Sequence, residues 1–287
     1  MWLNKCNSMP AACNANGTSP ARSVTQRGSI MKTTFVSLIA GLCLAATLAT
    51  PVAAQTGDSK DKPRLYTYVS NWAIPRARWD DMEKGRPAAQ KTLDQAVASG
   101  TILGYGSDEA VVHQADGRTH ASWWVANSMA GVLNALDQIH KAGGATSPVL
   151  ASATKHWDDI FVSRYYGWKP GTVKDGYVHG AVYKLKADAP NDAVDVLSKG
   201  LIVPVLEKLQ ADGAVSAWQV AEQSVHTMDP ALFFVFYICP TAEGLDKVNA
   251  AIGQAIGSNS LASPAFSSMV DFADHRDELS RGDSVLK

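Results

Sequence analysis

An α+β protein made of two consecutive units, each ordered strand, helix, strand, strand, helix, strand, is what this sequence predicts, on three observations. The pattern of 100–113 returns at 213–226, and both stretches end in Glu-x-x-Val-His: Glu109, Val112 and His113, then Glu222, Val225 and His226. The spacing of 113 still holds at Gly131 and Gly244, and an offset of 115 relates earlier positions, Tyr68 to Tyr183, Pro75 to Pro190, Asp80 to Asp195 and Lys84-Gly85 to Lys199-Gly200. Within each copy, segments that alternate with a period of two are separated by segments with apolar residues at helical spacing.

The chain opens with a stretch that is not expected to fold with the rest. Lys32 precedes an apolar run over 35–48, and Thr50-Pro51-Val52-Ala53-Ala54 follows as a small-residue cleavage site, so 31–54 reads as a secretory signal with cleavage before Gln55. Residues 1–30 then form an extension ahead of a signal that normally starts a chain, and 1–54 is expected to be removed. The run is short for a bilayer span. Polar, charged 55–63 reads as a disordered lead-in.

The first unit, 64–166, begins with an alternating, aromatic and β-branched strand at 65–70 that Pro75 stops. A helix follows over 77–99, interrupted near Gly85 and Pro87, with Gly100 where a helix end wants a left-handed residue. The strand 101–113 turns at Asp116-Gly117 and returns as 119–126. Ser128 caps a helix whose Met129, Val132, Leu133, Leu136 and Ile139 share one face, and Gly143-Gly144 ends it. The last strand lies at 159–166.

Residues 167–176, Gly-Trp-Lys-Pro-Gly-Thr-Val-Lys-Asp-Gly, read as a linker. The second unit, 177–287, repeats the order: a strand at 178–186, a helix over 192–211 with Pro204 inside it, a strand to His226, a turn at Asp229-Pro230, an apolar strand at 232–239, Thr241 as a cap and a helix through Ile256. Both copies close on His-x-Asp, at His156 and Asp158 and again at His275 and Asp277. The second of these sits in so polar a run, 274–278, that a solvated terminal segment is expected there.

This order is the split βαβ or ferredoxin-like one, and two copies can lay their sheets face to face with helices outside. The element order and repetition resemble the dimeric α+β barrel superfamily, which includes antibiotic-biosynthesis monooxygenases and stress-responsive proteins, in a form where one chain supplies both halves. The resemblance covers 64–281. It implies a small organic molecule bound between sheet and helices, and in some members oxidation without a cofactor. No family catalytic motif matches residue by residue, so the activity is not carried over, and no cofactor is expected.

Charge and cysteines narrow the class further. Removal of 54 of the 287 residues leaves 233, with 22 Lys and Arg against 27 Asp and Glu, an acidic balance that argues against nucleic acid and anionic membrane as partners. Cys239 is then the one cysteine left, which rules out an intrachain disulfide, and core burial has to hold an exported chain together. A small organic ligand is the expected partner, with a homodimer left open and the site of action periplasmic or extracellular.

Residues two apart on a strand share a face, so Tyr105, Glu109 and His113 align, as do Trp218, Glu222 and His226. An imidazole oriented by a carboxylate is the equipment of a general base, which makes His113, His226, Glu109 and Glu222 the catalytic candidates. On a straight strand the Glu and His stand roughly 13 Å apart, so a working pair needs a bulge or a second strand. The alternative is that each His merely ends a strand beside a turn. Tyr68, Tyr183, Tyr105, Trp218, Trp124 and Tyr237 are the candidates for a ligand pocket, or else core. Of the paired aromatics Trp123-Trp124 and those of 233–237, one faces the helices and its neighbour faces the space between sheets. His156, Asp158, His275 and Asp277 could each reach a metal with a further His, although no metal site is favoured.

Overall fold

The computed structural model describes residues 62–258 and 262–287. Its strands are β1 (Leu65–Ala73), β2 (Gly104–Ala110), β3 (His120–Ala126), β4 (Lys155–Trp168), β5 (Gly171–Leu185), β6 (Ala217–Gln223), β7 (Leu232–Cys239) and β8 (Val270–Leu286), and they close into one barrel in the order β1-β3-β2-β8-β5-β7-β6-β4. All neighbours are antiparallel. The earlier half of the chain contributes β4-β1-β3-β2 and the later half β8-β5-β7-β6, joined at the seams β2–β8 and β6–β4. Closure leaves no free sheet edge.

Helices α1 (Trp79–Ala98) and α2 (Met129–Lys141) cover the first set of strands. Leu93, Ala96, Val132 and Ala135 from these helices bury Tyr68, Tyr105 and Trp124. Trp124 anchors this layer: its ring stacks on Tyr68 at 4.5 Å and its indole N–H donates to Val132 O at 2.9 Å, so a large apolar surface is buried with no polar atom left wanting. The second set is covered by α3 (Ala193–Leu197), α4 (Val203–Ala211), α5 (Ala242–Ser258) and α6 (Ala262–Met269). There Leu206, Leu209, Val248 and Phe266 pack on Trp218, Phe233 and Tyr237.

Local chemistry sets the ends of these elements. Ser128 accepts from Gly131 N at 3.1 Å and Thr241 from Gly244 N at 3.3 Å, which caps α2 and α5. Gly100 and Gly213 take φ of +75° and +79°, the left-handed turn that lets each chain leave a helix and enter the next strand. Gly131 and Gly244 have a different task. A methyl at Gly131 would stand 3.0 Å from Thr101 O and one at Gly244 2.6 Å from Ala214 O, so each helix runs against the incoming backbone where a side chain has no room.

Several expectations are corrected. Helix α1 is continuous through Gly85 and Pro87. Pro204 falls in the first turn of α4, where a missing N–H costs little, and a π-turn over Ser198–Ile202 joins α3 to α4. The 167–176 linker is mostly strand, because β4 runs through Trp168 and β5 starts at Gly171. The terminal polar run is also strand. It lies on β8 with Asp274, Arg276 and Asp277 still exposed, while Glu278 accepts from Arg118 Nε at 2.9 Å and Lys184 of neighbouring β5 stands 3.3 Å from Asp274.

The proposed signal and 55–61 of the lead-in lie outside the described residues. Lys62 and Pro63 do not read as loose: Lys62 Nζ donates to Tyr166 O and the Tyr166 hydroxyl to Pro63 O, each at 2.9 Å. Among the described residues no helix is long and apolar enough to cross a membrane.

Candidate functional site: a cavity inside the barrel

Alternation along the strands decides what faces the barrel interior. Leu65, Thr67 and Val69 of β1 point inward, with Trp123 and Val125 of β3, Ala217 and Gln219 of β6, Phe236 and Ile238 of β7, and Leu286 of β8. On the adjoining strands β2, β8 and β5 the inward positions include Gly104, Gly106, Gly282, Gly176 and Gly180. This wall of the barrel is therefore rich in glycine, with Asp108, Val173, Val178, Ser280, Ser284 and Leu286 at inward positions between the glycines. Trp123 lies across Gly106, where a methyl would be 2.4 Å from its ring, and Phe236 lies across Gly180 at 3.1 Å.

The space that remains is a cavity of about 100 Å³, lined by Leu65, Thr67, Val69, Ala121, Trp123, Val125, Trp168, Val178, Gln219, Phe236, Ile238 and Leu286, with Asp108 and Arg118 also in its wall. A phenylalanine cluster of Phe161, Phe234 and Phe236 packs the neighbouring part of the interior. At the other end Trp168 stacks on Tyr166 at 5.4 Å and donates its indole N–H to Lys287 O at 2.8 Å.

Arg118 projects from the β2–β3 turn into the barrel. Its Nη1 donates to Asp108 Oδ1 at 2.6 Å, its Nε to Glu278 Oε2 at 2.9 Å and its Nη2 to Ser280 Oγ at 3.4 Å. The Asp108 side chain is 1% exposed and that of Arg118 13%. Burial works against the guanidinium charge, but Asp108 and Glu278 more than offset it and hold its pKa above the ordinary value. On another part of the wall, Gln219 Oε1 accepts from Thr67 Oγ1 at 3.0 Å and from Ser163 Oγ at 3.2 Å. A second buried carboxylate, Asp159, accepts from Asn71 at 3.2 Å and from Gln223 at 3.4 Å. Burial raises its pKa, against the Thr227 hydrogen bond that lowers it.

The strand-end candidates separate in the structure. β2 ends at Ala110 and β6 at Gln223, so His113 and His226 sit exposed in turns rather than on the strand face. Among the described residues His113 meets the Trp79 ring, at 5.3 Å. Glu109 and Glu222 remain on the outer face, and the imidazole nearest Glu109 belongs to His120, at 3.8 Å. His120 is buried edge-on against Trp79, with Nδ1 at 3.0 Å from Thr119 Oγ1. Burial, then the nearby Arg86 charge, brings its pKa down to about 4.

The aromatic candidates lie between strands and helices. Tyr68, Tyr105 and Trp124 belong to one helix-side core, Trp218, Tyr237 and the partly buried Tyr183 to the other. Trp218 and Tyr237 also form part of the cavity wall. Tyr105 donates to Asp94 at 2.7 Å. Burial first, and then Asp277, pushes the Tyr183 hydroxyl up to about 12.

The His-x-Asp pairs occupy the outer faces of β4 and β8. His156 Nε2 stands 3.2 Å from Asp158 Oδ1, and His275 Nε2 stands 3.2 Å from Asp277 Oδ1. Ser70 donates to Asp158 at 2.5 Å, and His179 Nε2 comes to 3.7 Å from Asp277. Among the described residues no group of three His, Cys, Asp or Glu is arranged to hold a metal ion.

Sequence reasoning missed Asp108, Arg118, Thr67 and Gln219. A signal was present in Gly104, Gly106 and Asp108, which share a strand face and put an acid at the end of a bare strip. Arg118 carried none, since a turn arginine reads as solvated.

No protein-family model and no curated protein matches the sequence. Solved structures do. A candidate monooxygenase of Lactobacillus acidophilus NCFM superposes with a TM-score of 0.54 at 11% identity, over 78% of this chain and 97% of its own. A candidate monooxygenase of Fusobacterium nucleatum subsp. nucleatum gives 0.54 at 8% identity, over 78% and 95%. The likeness is one of fold. It is the mixed α+β barrel fold of these proteins, here with an antiparallel eight-stranded barrel. An anthrone oxidase-like protein superposes at 0.45 with 11% identity, over 78% and 92%, too distant to carry an argument.

Proposed function

We propose that this protein binds a small, largely apolar molecule inside its barrel. The observation that carries the reading is the apolar cavity of about 100 Å³ inside the barrel, walled by Trp123, Trp168 and Phe236 among others, with a buried ion pair at its margin. Apolar pockets with a few placed polar groups are the usual form of a ligand site, and an apolar cavity of about 150 Å³ is enough to admit benzene. In this reading Trp218 and Tyr237 back the cavity, while Tyr68, Tyr105, Trp124 and Tyr183 hold the helices to the sheet. The two halves are ferredoxin-like units. Support comes from their matching strand orders, β4-β1-β3-β2 and β8-β5-β7-β6, and from the paired glycines. The protein acts outside the cytoplasm, as the apolar run at 35–48 and its cleavage site suggest. One chain closes the barrel, so a homodimer would form through outer surfaces.

The test is binding of benzene or xenon by the native protein and by Ala121→Leu, which fills the cavity. The reading expects saturable binding to the first and little to the second. Equal binding by both, or none by either, defeats it.

A second reading is a cofactor-free, monooxygenase-like enzyme with a strand imidazole as base. One observation favours it: His156 and His275 each have a carboxylate at 3.2 Å, in matched places. His113 and His226 have none within ion-pair reach among the described residues. Oxygen uptake with a phenolic substrate, lost in folded His275→Ala or His156→Ala, would support this reading. Uptake unchanged in both variants would end it.

A further inference from the structure

Resting on the reading that the barrel cavity is the binding site, we infer the class of its occupant: a neutral five- or six-membered ring compound carrying one hydrogen-bond acceptor, such as a cyclic ketone. Size limits the molecule to about one ring, because the cavity, about 100 Å³, is of the order of the roughly 150 Å³ one that takes up a single benzene and leaves no room for a second ring. Its walls favour a flat or compact body, with Trp123, Trp168 and Phe236 on it.

Charge selects against ions. Three of the five Arg118 donors are engaged by Asp108, Glu278 and Ser280, and this group carries two carboxylates against one guanidinium. An anionic ligand would meet an acidic margin with no free cation among the described residues of the lining. A cationic one would lose its hydration against walls that are almost wholly hydrocarbon, and Asp108 is already paired.

Of the polar groups in the lining, two side-chain donors stand without a partner among the described residues. Gln219 Oε1 is occupied by the Thr67 and Ser163 hydroxyls, which leaves its amide N–H₂ without a protein partner among the described residues. The Trp123 indole N–H has none either, and an indole nitrogen can only donate. These uncommitted donors select a molecule with an acceptor, because an occupant lacking one leaves them desolvated and unpaired.

The experiment compares cyclohexanone with methylenecyclohexane, which replaces the carbonyl oxygen by a CH₂ of the same shape, and with cyclohexanecarboxylate, by calorimetry on the full chain. Water solvates the ketone better, so simple apolar partition favours the alkene. Cyclohexanone is expected to bind at least tenfold more tightly than the alkene, and the carboxylate more weakly than either. In Gln219→Leu, and in the milder Trp123→Phe, the preference should fall several-fold while near-UV circular dichroism reports a folded barrel. Equal or tighter binding of the alkene, or tighter binding of the carboxylate, overturns the inference and leaves the cavity reading standing. Failure of all three to bind overturns both.

Discussion

Replacing Arg118 with alanine removes the partner of a carboxylate that is 1% exposed and held at 2.6 Å. Stranding a buried charge in this way typically costs about 3–5 kcal/mol. Arg118→Ala should therefore be much less stable than the parent at pH 7. Urea unfolding followed by circular dichroism measures it, and for a barrel of this size the melting temperature should drop by roughly 10 °C. Asp108→Asn should cost less, about 1–2 kcal/mol, because Arg118 keeps Glu278 and Ser280. A loss under about 1 kcal/mol for Arg118→Ala at pH 7 would refute the reasoning.

His120, with its pKa lowered from the ordinary 6.5 to about 4, stays neutral in the folded protein while the unfolded chain takes up a proton. Its contribution is complete above pH 6.5 and is lost as pH falls toward 4, by roughly 3 kcal/mol, so His120→Gln should show a flatter stability profile across that window. Gly106→Ala puts a methyl 2.4 Å from the Trp123 ring and 2.9 Å from Asp283 O, so it should lose about 1–3 kcal/mol and alter the near-UV spectrum. Gly85→Ala, in helix α1 with open space around it, should instead gain about 0.5–1 kcal/mol in thermal unfolding. The thiol of Cys239, fully buried and pushed up to about 12, should resist iodoacetamide in the native protein and react once urea unfolds it, as peptide mapping at that position would show.

Much of the architecture could be read from the chain because it rests on local signals. The left-handed turns at Gly100 and Gly213, the cap at Ser128 and the strand 232–239 each follow from residues within a few positions of one another. Strand ends were less legible. Alternation carries on through Val111 and Val112 to His113, yet Val112 is 62% exposed and both valine N–H groups turn to Leu279 O, a partner 167 residues further on. The site was harder still. Arg118 acquires its meaning from Asp108 across a turn and from Glu278 across a seam of the barrel, and no local pattern marks a residue whose partners come from the far end of the chain. Trp124 and Trp123 were separable by alternation, and they do divide between the helices and the interior.

The glycine wall has a consequence for how such a barrel can change over time. In a barrel assembled from two identical chains, each substitution is written twice, once on each side of the axis, so a glycine-rich wall must face another glycine-rich wall. Here the strip of Gly104, Gly106, Gly282, Gly176 and Gly180 stands opposite β1, β4 and β6, which present Thr67, Ser163, Gln219 and Trp168. A single gene encoding the whole ring lets the two sides drift apart. Hollowing one side then does not hollow the other, and a lopsided chamber can be reached one mutation at a time while the opposite wall keeps the barrel standing.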